Sequence, residues 1–218
     1  VDQALALGLD SLVTADADND TSTLNLNDLS TQVLDLNEID VPNIGTITIA
    51  DVDVDVDGPV ILDPATHLGG ADKIVIQAGN SDTTLEMTAS QYLQVCNNVD
   101  EDTANTARLC GAGDPYDATL VITDPAADVE LDLGHIAPEI HQVLRISDFA
   151  ASEGANIQNA NELTVQVAGG DNDLTELTPD DAISQVEFTA AGSLTLTAAQ
   201  VAAIGTADDD GDGVADAW

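Results

Sequence analysis

The sequence predicts an all-β protein, built as a β-solenoid-like stack of short strands that are joined by short helical turns. Three observations lead to this prediction. Apolar and polar residues alternate over many short stretches, which is the period of a β-strand. Clusters of Gly, Asp, Asn and Pro separate these stretches, as turns do. A strand followed by an apolar helical turn occurs twice, which is typical of stacked repeats.

The elements predicted from these patterns are short and numerous. Strands are expected at residues 24–26, 47–49, 52–56, 74–76, 85–87, 120–122, 129–133, 144–146, 163–167, 186–188 and 194–196. Turns are expected at residues 57–59, 68–72, 78–80, 111–115 and 169–173. Short helices are expected at residues 1–13, 90–95 and 198–204.

The internal repeat aligns residues 84–95 with residues 193–204. Both segments contain a strand, then Thr-Ala-x-Gln, then a short apolar helix. Units of this kind stack strand on strand and bury a continuous aliphatic core. Because the strand spacing is irregular, a β-sandwich with long loops remains the alternative architecture.

The composition supports a folded chain with an aliphatic core. Hydrophobic residues make up 44% of the sequence, whereas disordered acidic chains are depleted in Val, Ile and Leu. The aromatic residues are Tyr92, Tyr116, Phe149, Phe188 and Trp218. We expect one all-β domain over residues 1–205, followed at 206–218 by an acidic Ca²⁺-binding loop or a linker.

The charge balance is strongly negative. The 218 residues include 41 Asp and Glu against three cations, Lys73, Arg108 and Arg145, for a formal net charge of −38. So few cations cannot neutralise the phosphates of a nucleic acid, and an anionic membrane surface would repel the chain. No apolar run approaches the roughly 18–20 residues of a transmembrane helix.

A compact body with this charge repels itself, so it needs bound cations or high salt. The acids are mostly Asp, whose short side chain suits turns and the oxygen-ligand loops that bind Ca²⁺. We therefore expect Ca²⁺ as the cofactor. The alternative is the solvating surface of a halophilic protein.

The strongest cation motif lies near the C-terminus. Asp208, Asp210, Asp212 and Asp216 occupy positions 1, 3, 5 and 9 of a loop, with Gly213 at position 6. Oxygens at this spacing wrap around one side of a Ca²⁺ ion, and the glycine allows the sharp turn. The acid that an EF-hand needs at position 12 would fall one residue after the last residue of the sequence. The alternative is a solvated acidic tail.

Two further ladders of alternate aspartates are candidate cation sites, namely Asp16, Asp18 and Asp20, and Asp51, Asp53, Asp55 and Asp57. The first ladder has Thr21 where a Ca²⁺ loop has glycine. The second alternates with valines, so on a strand its carboxylates would share one face about 7 Å apart. This face would either bind a row of cations or be solvated.

Two cysteines, Cys96 and Cys110, flank the polar segment 97–106. A disulfide between them would close a local loop and stabilise the fold by up to about 3 kcal/mol. It would also indicate an oxidising, extracellular or periplasmic compartment. The alternative is a pair of reduced, buried thiols.

The sequence gives no indication of an enzyme. It contains no nucleophile elbow, metalloprotease helix, phosphate-binding loop or dinucleotide fingerprint. His135, Glu139 and His141 form a cluster of transition-metal ligand types, but Pro138 breaks any helix that would align them. We therefore interpret them as loop or core residues.

Residues 194–200 (Leu-Thr-Leu-Thr-Ala-Ala-Gln) and the acidic loop at 208–216, in an acidic all-β chain with almost no lysine, resemble modules of large secreted bacterial surface proteins. These are repeat adhesins and Ca²⁺-dependent surface-layer or fibre proteins. The loop itself is similar to a thrombospondin type 3 or EF-hand-like loop. The resemblance implies Ca²⁺-dependent folding at the cell surface and tandem or polymeric assembly.

The function expected from these observations is a Ca²⁺-stabilised extracellular structural or adhesive module. Its partners would be copies of itself or neighbouring modules in a surface layer, fibre or adhesin. One alternative is a module that binds glycan, ice or another surface through a Thr-rich strand face. A second alternative is a halophilic enzyme domain.

Overall fold

The computed structural model describes residues 23–26, 33–34, 36, 45–50, 59–68, 71–77, 83–96, 109–112, 118–179 and 182–204. The chain forms two compact units. The first consists of Val1–Val121 with His135–Ile140, and the second of Ile122–Gly134 with His141–Trp218.

The described residues form short strands, two α-helices and one 3-10 turn. The strands of the first half are β1 Thr23–Leu26, β2 Val33–Leu34, β3 Thr46–Ala50, β4 Val60–Leu62, β5 Lys73–Gln77, β6 Thr83–Thr88, β7 Leu109–Ala112 and β8 Ala118–Thr123. Those of the second half are β9 Glu130–Asp132, β10 Ile140–Ile146, β11 Asn156–Gln158, β12 Leu163–Val167, β13 Gly170–Asp173, β14 Ile183–Phe188 and β15 Gly192–Thr195. The helices are α1 Ala89–Cys96 and α2 Ala198–Ile204, and the 3-10 turn is Leu133–His135.

The strands are arranged as a β-solenoid of about five turns. Strand pairing is parallel in the described pairs, and each strand pairs with the corresponding strand of the next turn. The prediction of stacked strands is therefore confirmed. The β-sandwich alternative is wrong, because a sandwich is built from antiparallel hairpins and Greek keys.

Two parallel sheets run through the first unit. One has the strand order β1-β3-β5-β7, and in the other β4 lies between β2 and β6. Thr23 pairs with Thr46, and Thr46 pairs with Lys73, so the second of these turns uses more chain than the first. The inward row Leu24, Ile47 and Ile74 is buried in each strand.

The second unit has a tighter repeat. Its main sheet has the order β10-β12-β14, and smaller sheets pair β9 with β11 and β13 with β15. Val143 pairs with Thr164, and Val165 pairs with Val186 at the same interval along the chain. Gly170 pairs with Gly192, an interval only one position longer. These turns add a near-constant length of chain, whereas the turn that pairs Glu130 with Asn156 uses more.

The core is aliphatic, as predicted. Alternate residues of the strands point inward, and the buried inward positions are mostly Leu, Ile and Val. Of the aromatic residues, Tyr92 is fully buried and Phe149 is nearly so. Phe188, by contrast, is 55% exposed. Tyr116 and Trp218 lie outside the described residues.

Both helices of the predicted repeat are present, and each begins with the same hydrogen-bonded cap. In α1 the backbone N–H of Thr88 donates to Gln91 Oε1 (2.9 Å), and the N–H of Gln91 donates to Thr88 Oγ1 (3.2 Å). In α2 Thr197 and Gln200 repeat this exchange at 2.7 and 3.1 Å. The Thr-Ala-x-Gln signature is thus a capping box, which satisfies N–H groups that the first helical turn leaves unpaired.

Several predictions differ from the structure or fall outside its described part. The sequence predicts a turn at residues 169–173, but residues 170–173 form β13. Strands β2, β4, β7 and β11 are additional to the predicted ones. The predicted strand at 52–56, the predicted helix at 1–13 and the acidic segment 206–218 lie outside the described residues.

We expect the inward residues of β5 to contribute more to the stability of the first unit than its outward residues. Replacing Ile76, which is fully buried, by Ala should lower the free energy of unfolding by about 2–5 kcal/mol, because a cavity remains between stacked rungs. Val75→Ala, on the outward side of the same strand, is the control and should cost less than about 1 kcal/mol. Urea unfolding measures both values, and equal effects would contradict the assigned faces.

Candidate functional site

The candidate Ca²⁺ ligands all lie outside the described residues. They are Asp16, Asp18, Asp20, Asp51, Asp53, Asp55, Asp57, Asp208, Asp210, Asp212 and Asp216. The Ca²⁺ sites therefore stay predictions. Within the described part of the chain, no group of three or more His, Cys, Asp or Glu is close enough to hold a metal ion.

The histidine cluster is spread over different elements. His135 ends the 3-10 turn, Glu139 is exposed in the connection that follows, and His141 lies on β10. The His141 ring Nε2 is 3.2 Å from Thr164 Oγ1 on the neighbouring strand. His141 is thus part of a polar row across the sheet.

The two cysteines lie in different elements of the first unit. Cys96 is buried at the end of α1. Cys110 belongs to β7, and its side chain lies outside what the structure describes. The disulfide between Cys96 and Cys110 stays a prediction.

The most completely bonded polar side chain of the second unit is Asn172, in β13. It is 2% exposed. Its Oδ1 accepts a hydrogen bond from the backbone N–H of Phe149 (3.0 Å), one turn earlier in the chain. Its Nδ2 donates to the carbonyl oxygens of Gly169 (2.8 Å) and of Ser193 (3.1 Å), which lies one turn later. One buried amide therefore joins three successive turns.

The corner at the start of β13 depends on glycine. Gly170 has φ = 66°, a left-handed backbone conformation that residues other than Gly, Asn and Asp rarely adopt. A Cβ at this position would also overlap the carboxylate of Asp148, which lies against the Gly170 backbone. The Asp148 Oδ1 accepts a hydrogen bond from the N–H of Asp171 (3.1 Å). The absence of a side chain at Gly170 thus leaves room for the Asp148 carboxylate to accept this hydrogen bond.

Several carboxylates on the strands of the second unit accept hydrogen bonds from neutral groups. These pairs are Glu130 with Gln158 (2.6 Å), Asp132 with Asn159 (2.9 Å) and with the N–H of Gly134 (3.0 Å), and Asp171 with the hydroxyl of Ser193 (2.8 Å). Amide, hydroxyl and backbone N–H donors satisfy a carboxylate without cancelling its charge. These donors therefore orient the carboxylates but leave the surface negative.

The register of the strands keeps negative charges apart. In the pairs β9–β11 and β13–β15, Glu130 faces Asn156, Asp132 faces Gln158, Asp171 faces Ser193 and Asp173 faces Thr195. In the described strand pairs with a known register, no acid lies directly opposite another acid. Like charges directly opposite each other on a sheet would be destabilising.

The outward face of β10, β12 and β14 carries a chain of polar contacts. The Arg145 Nε donates to Gln166 Oε1 (2.6 Å), and the Gln166 Nε2 donates to Glu187 Oε2 (3.3 Å). The amide between them thus connects a cation to an acid across three strands. In the neighbouring row the Thr164 hydroxyl donates to Gln185 Oε1 (3.0 Å).

Asp173, the last residue of β13, has a pKa below the usual carboxyl range. The main cause is the hydrogen bond from the backbone N–H of Thr175 (2.9 Å). The Thr175 hydroxyl adds a second bond (2.7 Å). Both bonds favour the charged carboxylate. The folded-state pKa is therefore lower than the unfolded one, so this contribution to stability is present above the unfolded pKa and is lost as the pH falls through the folded value.

The sequence patterns located both helices, but they did not predict the hydrogen bonds of the helix caps or those of the corners. Gln91 and Gln200 stand in the repeated Thr-Ala-x-Gln signature, which could have indicated their capping role. Their Nε2 groups also donate to carbonyl oxygens of the preceding turn, those of Asp63 (2.7 Å) and Leu174 (2.8 Å) respectively. The role of Asn172 had no signal in the sequence, because its partners include residues one full turn away in both directions along the chain.

Comparisons with family models, with curated proteins and with solved structures find no match for this chain. Among the described residues, no helix has the length and apolar character that a membrane crossing requires. The functional argument therefore depends on the residues and geometry described above.

We expect Asn172→Asp to destabilise the second unit strongly at neutral pH. The substitution keeps the shape but places a buried carboxylate against the carbonyl oxygens of Gly169 and Ser193, without the Nδ2 donor. We expect a loss of at least about 3 kcal/mol, which corresponds to a fall in Tm of about 6–12 °C.

This loss should shrink at acidic pH, because the new carboxyl group, once protonated, can donate its hydroxyl to one of the carbonyl oxygens. Ala126→Asp, which places a carboxylate at an exposed position of the same unit, is the control and should leave Tm nearly unchanged. Thermal melts between neutral and acidic pH measure both effects. A pH-independent loss would contradict the charge argument.

Thr175→Val should raise the pKa of Asp173 towards the usual carboxyl range. The hydroxyl donor is removed, while the backbone N–H of residue 175, the larger cause, remains. The pKa should therefore stay below the usual range. Carboxyl NMR titration measures it, and Thr195→Val, in register with Asp173 on the next turn, is the control. An unchanged pKa in Thr175→Val would show that the hydroxyl bond does not hold the carboxylate.

Proposed function

We propose that the chain is a Ca²⁺-stabilised extracellular structural or adhesive module of a surface layer, fibre or adhesin. The observation that carries this proposal is the stack of parallel turns with a sealed aliphatic core and outward rows of bonded polar side chains. Solenoids of this kind are stabilised between neighbouring turns, so they serve as rigid spacers and present surfaces for assembly.

The charge distribution supports a role for cations outside the described turns. Only fifteen of the 41 acidic residues belong to the described part of the chain. There several carboxylates on the strands, such as Glu130, Asp132 and Asp171, accept hydrogen bonds from neutral donors. The remaining acids include all three Asp-x-Asp ladders, whose spacing is that of Ca²⁺ ligands. Cation binding in these segments would relieve the repulsion that the neutral donors leave in place.

The alternative of a surface-binding face is less well supported. Binding of glycan or ice to a strand face would need a regular row of one polar residue type over several turns. In the first unit the outward row Thr23, Thr46 continues as Lys73, and the row Asn25, Thr48 continues as Val75. The described polar rows of this sheet are therefore two turns long, which favours the structural role.

Removal of Ca²⁺ tests the proposal. We expect the Tm of the chain to be lowest in EDTA at moderate salt and to rise when Ca²⁺ is added. The rise should be about 5–10 °C for each site when the Ca²⁺ concentration is 100-fold above the dissociation constant of that site. The ligands are gathered only in the folded chain, so binding stabilises that state. Calorimetry in EDTA, in millimolar Ca²⁺ and in molar KCl measures the effect.

A matched pair of variants separates a specific site from general charge. The loop variant changes four acids to their amides, Asp208, Asp210, Asp212 and Asp216. The control does the same at four exposed acids of the described turns, Asp124, Asp128, Glu139 and Glu153. Both remove four negative charges, and only the loop variant should lose part of the Ca²⁺ response. No response to Ca²⁺, with stabilisation by molar KCl alone, would sink the proposal and favour a halophilic domain.

A further inference from the structure

The described part of the chain contains the tripeptide Asp-Pro-Ala twice, each time directly after a strand. Asp63-Pro64-Ala65 follows β4, and Asp124-Pro125-Ala126 follows β8. A further Asp-Pro bond, Asp114–Pro115, lies outside the described residues. Because the two tripeptides are identical, any difference in reactivity between their Asp-Pro bonds in the native protein must come mainly from the fold.

An Asp-Pro bond carries its own means of cleavage in acid. The Asp carboxyl group can reach the carbonyl carbon of the same residue by closing a five-membered ring. The proline nitrogen belongs to a tertiary amide, and it accepts a proton and departs more readily than the nitrogen of a secondary amide. Proline also has no backbone N–H, so the competing attack of that nitrogen on the carboxyl group does not occur.

Asp124 combines a restricted backbone with an accessible side chain. Its φ is 50°, in the left-handed region that few residues other than Gly, Asn and Asp adopt. A following proline restricts the preceding residue further, towards extended conformations, so cleavage of the bond to Pro125 relieves strain. The side chain is exposed to water. No hydrogen bond joins its carboxylate to another described residue.

Asp63 is held in place by contrast. Its Oδ1 accepts a hydrogen bond from the N–H of Ala65 (2.8 Å). Its carbonyl oxygen accepts hydrogen bonds from the N–H of Thr66 (2.8 Å) and from Gln91 Nε2 (2.7 Å). These bonds already exist in the intact peptide and stabilise it, so they do not by themselves lower the barrier to cleavage. The carboxylate must also leave Ala65 before it can attack.

Asp148 separates the effect of the backbone from that of proline. Its φ of 52° is nearly that of Asp124, but Phe149 follows it, so the leaving group is an ordinary amide nitrogen. Its Oδ1 accepts the hydrogen bond from the N–H of Asp171. Of these three aspartates, only Asp124 has the strained conformation, the proline and the unbonded carboxylate together.

We propose that the Asp124–Pro125 bond is a self-cleavage site, at which the Asp124 carboxyl group cuts the chain in acidic surroundings. The carboxyl oxygen forms a bond to the carbonyl carbon of the same residue, and the carbon–nitrogen bond to Pro125 breaks as the carboxyl proton passes to that nitrogen. One water molecule then opens the cyclic anhydride and leaves Asp124 with two carboxyl groups. The products are residues 1–124 and 125–218.

The charges around this bond do not oppose cleavage in acid. The N–H of Ser152 donates to the carbonyl oxygen of Ala127 (2.8 Å), which joins the connection after β8 to the next turn. These two segments, 124–130 and 147–154, contain no cation. Acid therefore breaks no ion pair within them and lessens the repulsion between their carboxylates. Besides Asp124, the charged residues of the two segments are Asp128, Glu130, Asp148 and Glu153.

The site lies close to the boundary between the two compact units, because the main segment of the first unit ends at Val121. The first unit also includes His135–Ile140, and these residues stay on the second product. The products therefore have to be identified in a denaturing solvent.

Incubation of the full chain in acid, followed by mass spectrometry in a denaturing solvent, tests the proposal. The pH is the lowest at which the circular dichroism spectrum is that of the native chain. We expect the bond after Asp124 to break at least about tenfold faster than the bond after Asp63, the factor that one or two hydrogen bonds at Asp63 are worth. In urea that unfolds the chain, the two rates should become similar.

Variants at the site identify the attacking group. Asp124→Glu keeps the charge but requires a six-membered ring, so cleavage at this bond should be lost while the rate after Asp63 is unchanged. Pro125→Ala keeps the carboxyl group, removes the tertiary amide and should also slow cleavage. Asp128→Asn, at an exposed acid of the same connection, is the control and should be cut as fast as the wild type.

Three results would overturn the self-cleavage proposal. They are a folded chain that stays intact in acid, equal or reversed rates at the two Asp-Pro-Ala segments of the folded chain, and an Asp124→Glu variant that is cut as fast as the wild type. Cleavage after Asp114 gives products of different mass and does not enter the comparison. The measurement involves no Ca²⁺, so its outcome is independent of the proposed Ca²⁺ sites.

Discussion

The parallel stacking of strands in register is the constraint on which the rest of this structure depends. Each side chain lies about 4.8 Å from the corresponding side chain of the next turn. The side chains of one row are therefore in contact and must be compatible with one another. Inward rows such as Leu144, Val165 and Val186 consist of aliphatic residues that pack on one another. In outward rows a repeated acid would be repelled, and the acids on the paired strands of the second unit face Asn, Gln, Ser or Thr instead. Stacking thus decides both the core and the distribution of charge.

The corners of the turns pose a second problem, which buried amides solve. Where a strand gives way to a corner, backbone carbonyl and N–H groups lose their partners in the sheet, and buried polar groups need replacements. Asn172, Gln91 and Gln200 supply them by bonding to backbone atoms of neighbouring turns. An amide offers a donor and an acceptor without charge, so it can be buried in a chain that has almost no cations to pair with a buried acid.

Sequence patterns were sufficient where the periodicity of a strand is complete. Strands such as Leu163–Val167 alternate clearly, and the Thr-Ala-x-Gln signature located both helices. The pattern was insufficient for β11 and β13, each of which has a single buried residue. In β11 that residue is Ile157, and in β13 it is Asn172, inside a Gly-Gly-Asp-Asn-Asp run that has the composition of a turn. The tertiary contacts of Asn172 override that local preference. The neutral partners of the acids could not be predicted either, because they depend on the register between successive turns, which local patterns do not specify.

The chain therefore manages its negative charge in two different ways along its length. Within the described turns of the second unit, the acids on paired strands face neutral residues, and several of them accept hydrogen bonds from neutral donors. The aspartate ladders concentrate charge in segments whose alternate spacing suits a divalent ion. A cation bound there would act on the repulsion of the whole chain rather than on the packing of any one turn.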